Sequence, residues 1–94
     1  MSKIMANVRI PTPLRRLTNE KDEVNTSSTS ILGMVEDLES QFPGIKDRLC
    51  DEDGSIRKFI NIYVNDEDIR FLNGPETEIK DEDIVSIIPA IAGG

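Results

Sequence analysis

The two residues that close the sequence, Gly93 and Gly94, are the candidates for chemistry. They end a run of small and apolar residues, Pro89-Ala90-Ile91-Ala92-Gly93-Gly94. Glycine has no Cβ, so a Gly-Gly backbone can lie in a narrow channel and adopt angles closed to other residues. A terminal glycine carboxylate is also the least hindered acyl group that a protein can offer. We expect Gly94 to present a carboxylate for activation, the alternative being a chance Gly-Gly end.

Other reactive groups are scarce. The chain has no His, which removes the commonest general base and metal ligand. Its single Cys, Cys50, has no His partner to activate it, and we interpret it as a passive residue at the core edge. We therefore predict that the chain is not an enzyme and that no side chain is catalytic.

Acidic triplets occur three times, at residues 51–53, 66–68 and 81–83. The first precedes Gly54 and resembles part of a calcium loop. Phe59 and Ile60, however, occupy the neighbourhood where that loop needs a glutamate. We interpret all three triplets as solvated turns and predict no metal site and no bound cofactor.

The net charge of −7 over 94 residues argues against binding to nucleic acid or to anionic membranes. It favours a basic protein partner, because opposite charge speeds encounter, but the simpler interpretation, that the charge keeps a small protein in solution, accounts for most of it. No stretch approaches the length of a membrane span, and residues 1–7 lack the apolar centre of a secretory signal. With one Cys and no possible internal disulfide, a cytoplasmic setting is the expectation.

The first half of the chain predicts two strands and a helix. Residues 3–10 form a strand with Ile4, Ala6, Val8 and Ile10 on one face, and residues 21–25 form a second strand with Val24 inward. The polar cluster at 26–30 supplies a helix N-cap. The helix then carries an apolar stripe that Leu32 widens, and it stops at Pro43-Gly44; the stripe is Ile31, Val35, Leu38 and Phe42.

The second half predicts shorter elements. Residues 45–50 form a helical turn with Ile45 and Leu49 inward, and strands follow at 59–64, 69–72 and 84–88. Pro89 then stiffens the exit from the sheet and cannot extend the ladder.

Together these elements predict an α+β fold of the β-grasp class. Its mixed sheet of four to five strands is covered on one face by one main helix. The first and last strands lie parallel at the sheet centre. We divide the chain into a β-grasp domain, residues 1–88, and a flexible Gly-Gly tail, residues 89–94.

Strand 59–64 also predicts a docking surface. Phe59, Asn61 and Tyr63 face away from the helix, and Ile88 leaves the same sheet. Two rings on an outer face fit an apolar docking patch. Cross-strand packing that stabilises the sheet is the equally weighted alternative.

The sequence resembles the ThiS/MoaD family of ubiquitin-like sulfur carriers over nearly its whole length. The resemblance lies in the opening Val8-Arg9-Ile10-Pro11, the helical Leu32-Gly33 and Leu38-Glu39, and the Gly-Gly end. Within the family, one stretch looks most like the cysteine-biosynthesis sulfur carriers: Phe-Ile-Asn-Ile-Tyr-Val-Asn-Asp-Glu-Asp-Ile-Arg-Phe, residues 59–71.

The resemblance implies a mechanism and partners. An E1-like adenylyltransferase of the MoeB/ThiF type uses ATP to adenylate Gly94, and sulfur then displaces AMP to leave a thiocarboxylate. A pyridoxal-phosphate enzyme like cysteine synthase receives the sulfur, and a JAMM-type metalloprotease releases the product. Gly93 supplies clearance, and an arm enters the partner's active site; the arm is Pro89, Ala90, Ile91 and Ala92.

Three alternatives stay open within that resemblance. The chain could be the small subunit of molybdopterin synthase, a carrier for thiamine-thiazole synthesis, or a protein modifier that joins Gly94 to a target lysine. The Gly-Gly end is common to the whole family and does not select a pathway.

Overall fold

Five strands form one mixed sheet in the computed structural model, which describes residues 5–90. Each strand is short, as expected where turn residues recur every few positions. The strands are β1 (Ala6–Arg9), β2 (Glu23–Thr26), β3 (Ile60–Val64), β4 (Glu67–Asp68) and β5 (Ile84–Pro89).

The sheet order is β2-β1-β5-β3-β4, with the first and last strands parallel at its centre. Asn7 lies beside Ile84 and Arg9 beside Ser86, whereas all other neighbouring strands run antiparallel. This arrangement confirms the predicted β-grasp topology. The chain between β1 and β5 supplies the helices and the outer strands.

The main helix, α1 (Ile31–Gln41), covers one face of the sheet. The Ser30 hydroxyl accepts a hydrogen bond from the Gly33 amide at 3.1 Å, which confirms the predicted N-cap. The predicted stripe is buried, but Leu32 is 43% exposed and the expectation that it widens the stripe is wrong. A helix turns by about 100° per residue, which places Leu32 about 100° from Ile31 around the helix axis and outside the buried stripe. The fully buried Met34 occupies the other flank of the stripe.

A second helix, α2 (Ile45–Leu49), follows a sharp turn and buries Ile45 and Leu49 as predicted. The Glu39 carboxylate of α1 fixes this turn. It accepts hydrogen bonds from the Gly44 amide at 3.1 Å and the Lys46 amide at 2.9 Å. The Lys46 amide, and after it the Gly44 amide, lower the pKa of Glu39 from its usual value.

Residues 69–72 do not form the predicted strand. Asn65 and Asp66 both adopt positive φ, at 51° and 74°, and make a two-residue hairpin turn. The return strand β4 therefore begins at once and is only two residues long. The Asp68 carboxylate then accepts from the Arg70 amide at 2.8 Å, which starts a 3₁₀ helix over Ile69–Phe71.

The first two strands differ from the prediction in their bounds. Val24 is buried as expected, but β2 lies later in the chain than residues 21–25. Strand β1 is shorter than residues 3–10, and Ile4 lies outside the described residues. Ile10 is buried just beyond β1, and its amide donates to the Asp22 carbonyl at 2.8 Å.

The capping of α2 by Glu39 makes stability depend on pH. The folded-state pKa lies below the usual value of 4.5, so the ionised carboxylate stabilises the folded chain above that value. This contribution is lost as the pH falls through the folded-state pKa. We expect Glu39→Gln to lower the Tm by a few degrees near neutral pH, and the difference from wild type to shrink towards zero in strong acid.

Calorimetry across this pH range checks the prediction. Glu52→Gln, which changes the same group on an exposed turn, is the matched control and should leave the Tm nearly unchanged. A Glu39→Gln deficit that persists unchanged in acid would show that the charge on Glu39 does not stabilise the turn.

Candidate functional site

The candidate site lies where β5 leaves the sheet. Pro89 pairs with Ile60, and the Ala90 amide donates to the Phe59 carbonyl at 2.6 Å. The ladder therefore runs past Ile88, where the strand was predicted to end, and past Pro89, which was predicted not to extend it. In antiparallel ladders bonded and non-bonded pairs alternate. Pro89 occupies a non-bonded position towards β3, where no amide donor is needed.

The remaining tail residues are Ile91, Ala92, Gly93 and Gly94, and they lie outside the described residues. The structure fixes the point from which they depart, beside Phe59 at one end of the sheet. Covalent geometry limits their reach, because five residues beyond Pro89 can span at most about 18 Å. A partner that acts on Gly94 must therefore approach this end of the sheet.

The predicted docking residues share the outer face of the sheet, away from α1. Asn61 pairs with Ile88, and Tyr63 pairs with Ser86. Phe59 is diagonal to Ile88 across the same two strands, a separation that large side chains bridge. Phe59 is 49% exposed and Ile88 48% exposed. The structure thus brings Phe59, Asn61, Tyr63 and Ile88 together as one surface, here named the exit patch.

Arg9 extends this outer face on the other side of β5. It lies beside Ser86 in the parallel pair and beside Glu23 in the pair with β2. Sequence reasoning gave Arg9 no role. The alternation of side chains along β1, with Val8 inward, is the signal that places Arg9 on the same face as Ile88.

The acidic triplets serve as turns. Asp53 accepts from the Ser55 amide at 2.9 Å, and Asp83 accepts from the Lys80 amide at 2.8 Å. Amide donors of this kind lower the pKa values of Asp53 and Asp68. Within residues 5–90, no three His, Cys, Asp or Glu side chains are grouped as metal ligands. None of the helices in that range is long and apolar enough to cross a bilayer.

Cys50 is 4% exposed and belongs to the core. Burial raises the pKa of its thiol, with smaller opposing effects from neighbouring charges. A protonated, enclosed thiol is a poor nucleophile. This fits the interpretation of Cys50 as a packing residue.

Solved structures of the same fold define the class of protein. The CysO chain in a BexX/CysO complex from Amycolatopsis orientalis superposes with a TM-score of 0.88 at 46% identity, covering 95% of this chain and 99% of that chain. Mycobacterium tuberculosis CysO gives a TM-score of 0.86 at 43% identity, covering 92% and 99%. The protein has a ubiquitin-like β-grasp fold, as predicted.

Sequence comparison identifies the family. The ThiS family profile matches residues 8–94. The sulfur carrier protein CysO of M. tuberculosis is 46% identical over 89 residues, which are 93% of this chain and 96% of that protein. The chain belongs to the ThiS family.

The burial of Cys50 predicts slow thiol chemistry. We expect native protein near neutral pH to react with an aromatic disulfide reagent at least about tenfold more slowly than an exposed thiol. Unfolding in guanidinium chloride should remove the difference. Absorbance of the released thiolate measures both rates.

The matched control moves the thiol to the surface. Cys50→Ala combined with Ser27→Cys retains one thiol but places it at an exposed position. If native Cys50 reacted as fast as Cys at position 27, the thiol would be accessible, and its assignment to the closed core would be wrong.

Proposed function

We propose that this chain is a sulfur carrier whose Gly94 carboxylate is adenylated and then converted to a thiocarboxylate. The observation that carries the proposal is the match to the ThiS family, which runs through Gly94 itself. The 46% identity to a sulfur carrier protein over nearly the full length of both chains supports it. The described residues are consistent with a carrier, since Cys50 is enclosed and the acidic triplets cap turns.

The proposed chemistry proceeds in two balanced steps. A Gly94 carboxylate oxygen attacks the α-phosphorus of ATP on the activating enzyme, which forms the acyl adenylate and releases pyrophosphate. A sulfur nucleophile at the oxidation level of sulfide then attacks the carbonyl carbon. The C–O bond to AMP breaks, AMP departs, and the carbon–sulfur bond of the thiocarboxylate forms. The chain itself supplies the acyl group and no catalyst.

In this proposal residues 89–94 form the arm that enters the partner's active site, and the rest of the chain is the β-grasp domain. Pro89 and Ala90 direct the arm because both remain paired with β3. Gly93 provides clearance, since a side chain there would widen the chain at the reacting end. No cofactor on this chain is needed, because ATP is consumed on the activating enzyme.

The proposed partners are those that the family resemblance implies. We propose an E1-like adenylyltransferase as the activating enzyme and a pyridoxal-phosphate enzyme like cysteine synthase as the recipient of sulfur. A JAMM-type metalloprotease would release the product, and the setting would be the cytoplasm. The CysO of A. orientalis was solved in complex with another protein, BexX, which supports a role through protein partners. The identity to CysO favours the cysteine branch over the molybdopterin and thiazole branches.

Removal of Gly94 should abolish activation without unfolding the domain. Among residues 5–90, the last member of the core is Ile87, which precedes Gly94 by seven residues. We expect the deletion variant, and a variant with one residue added after Gly94, to retain the wild-type Tm but to lose ATP–pyrophosphate exchange with the purified activating enzyme. The intact mass of protein purified from its host should show oxygen replaced by sulfur in wild type and in neither of these two variants.

Two results would contradict the proposal. Exchange that continues in the deletion variant would remove Gly94 from the reaction. Wild-type protein recovered from its host as larger covalent conjugates, with no thiocarboxylate, would favour a protein modifier. Ser40→Ala, on the exposed surface of α1 and away from the terminus, is a control that should keep both activity and the thiocarboxylate.

The exit patch predicts a second effect, on binding. We expect Phe59→Ser with Ile88→Ser to raise the KM for the carrier in the exchange assay at least about tenfold, because exposed apolar anchors dominate interface energy. The kcat should change much less. Leu32→Ser is the matched control, since Leu32 is an apolar residue of similar exposure, 43%, on α1 instead of the outer face. Equal effects of the two variants would show that the patch is not an interface.

A further inference from the structure

The two ends of the sheet differ in their charged groups. Acidic residues 66–68 and 81–83 lie at the end where β3 stops and β5 begins. Asn65 joins these two turns, because its side-chain nitrogen Nδ2 donates to the Asp83 carboxylate at 2.8 Å. The tail leaves from the opposite end. Six of the chain's 18 carboxylate side chains are therefore held away from the point where a partner must approach.

A cleft of about 300 Å³ lies beside the tail exit. Its walls are the end of β5 and the segment that follows β1. Two arginines, Arg9 and Arg15, line it, together with apolar Pro11, Ile88 and Pro89. Among residues 5–90, no carboxylate lines this cleft. It is a cationic site in a chain whose net charge is −7.

Both arginines lie near acidic residues but form no close ion pair within residues 5–90. Among the described residues, neither Arg9 nor Arg15 forms an ion pair within 4.0 Å. Asp22 and Glu23 border both arginines on the β2 side, but their oxygens lie beyond that distance. Arg15 donates through Nε to the Ile10 carbonyl at 3.0 Å, which orients its guanidinium while most of its donors stay available.

We propose that this cleft binds a carboxylate side chain of the protein that captures the tail. The proposal rests on the function proposed above and adds the chemistry of the contact. Arginine binds carboxylates through paired, charge-assisted hydrogen bonds. The apolar residues Ile88 and Pro89 line the same cleft, and a partner that covers them would exclude water from the guanidinium groups, which strengthens such bonds. The contact would hold Pro89, where the tail begins, at one position relative to the partner.

The proposed contact is with an acidic group of the partner, whereas the net charge of the chain suggests a basic partner. The charge of −7 alone favours a basic partner. The arrangement of the charges favours an approach in which the partner's acidic group meets Arg9 and Arg15, while residues 66–68 and 81–83 point away from it. Such asymmetry orients the carrier during encounter as well as holding it once bound.

Charge reversal at Arg9 tests the proposal. Arg9→Glu and Lys80→Glu each replace one cation with an anion, so both take the net charge from −7 to about −9. Lys80 adjoins the acidic turn 81–83, at the far end from the cleft. With the purified activating enzyme, we expect Arg9→Glu to raise the KM for the carrier at least about tenfold and to weaken its salt dependence. Lys80→Glu should change the KM less than about twofold.

Two further variants separate binding from folding. Arg9→Gln adds no repulsion with Glu23 and should raise the KM by a smaller factor, whereas Arg9→Lys should recover much of the affinity. The Tm of each variant reports folding. Equal KM values for Arg9→Glu, Arg9→Gln and Lys80→Glu, with wild-type carrier active, would overturn the cleft proposal alone. If wild-type carrier supported no exchange at all, the proposed function itself would fail.

Discussion

The parallel pairing of β1 with β5 is the constraint on which the rest of the molecule depends. Parallel neighbours cannot be joined by a tight turn, so the intervening chain must cross over the sheet. Here the crossover supplies α1, and it also contributes β2, β3 and β4 at the flanks. The same pairing brings the ends of β1 and β5 together, which places Arg9 beside the departing tail.

Because side chains alternate along these strands, the residues that form the core and the residues on the outer face of the sheet are different sets. Val8, Val85 and Ile87 face α1 and are buried. Their neighbours Arg9 and Ile88 face the other way and stay accessible. A register slip of one residue would exchange the two sets, so burial of the core also fixes which residues lie on the outer face of the sheet. Under the proposed function, the fold presents its recognition surface on the outer face of the sheet, away from α1.

Much of the fold could be predicted because strong local signals coincided with it. The stripe from Ile31 to Phe42 gave α1, and the alternation at 59–64 gave β3. The errors arose where a tertiary or turn effect decided the outcome. Asn65 and Asp66, two consecutive residues with positive φ, make a tight turn that starts the return strand at once. Pro89 remains in the ladder because it falls at a position where its nitrogen does not face β3. Neither effect can be computed from propensity alone.

The candidate site was predictable in its parts but not in its assembly. Gly94 and the outward face of β3 followed from residue type and spacing, whereas the proximity of Arg15 to β5 required the tertiary structure. Two prolines explain why a cleft exists there. The β1–β5 ladder ends at Arg9 and Ser86. Pro11 follows two residues after the end of β1 and has no amide hydrogen to continue the pairing. Pro89 directs its nitrogen towards that side and has no amide hydrogen to offer, so further strand pairing stops. Side chains rather than backbone groups therefore line the cleft at this point. The two arginines supply its charged hydrogen-bond donors.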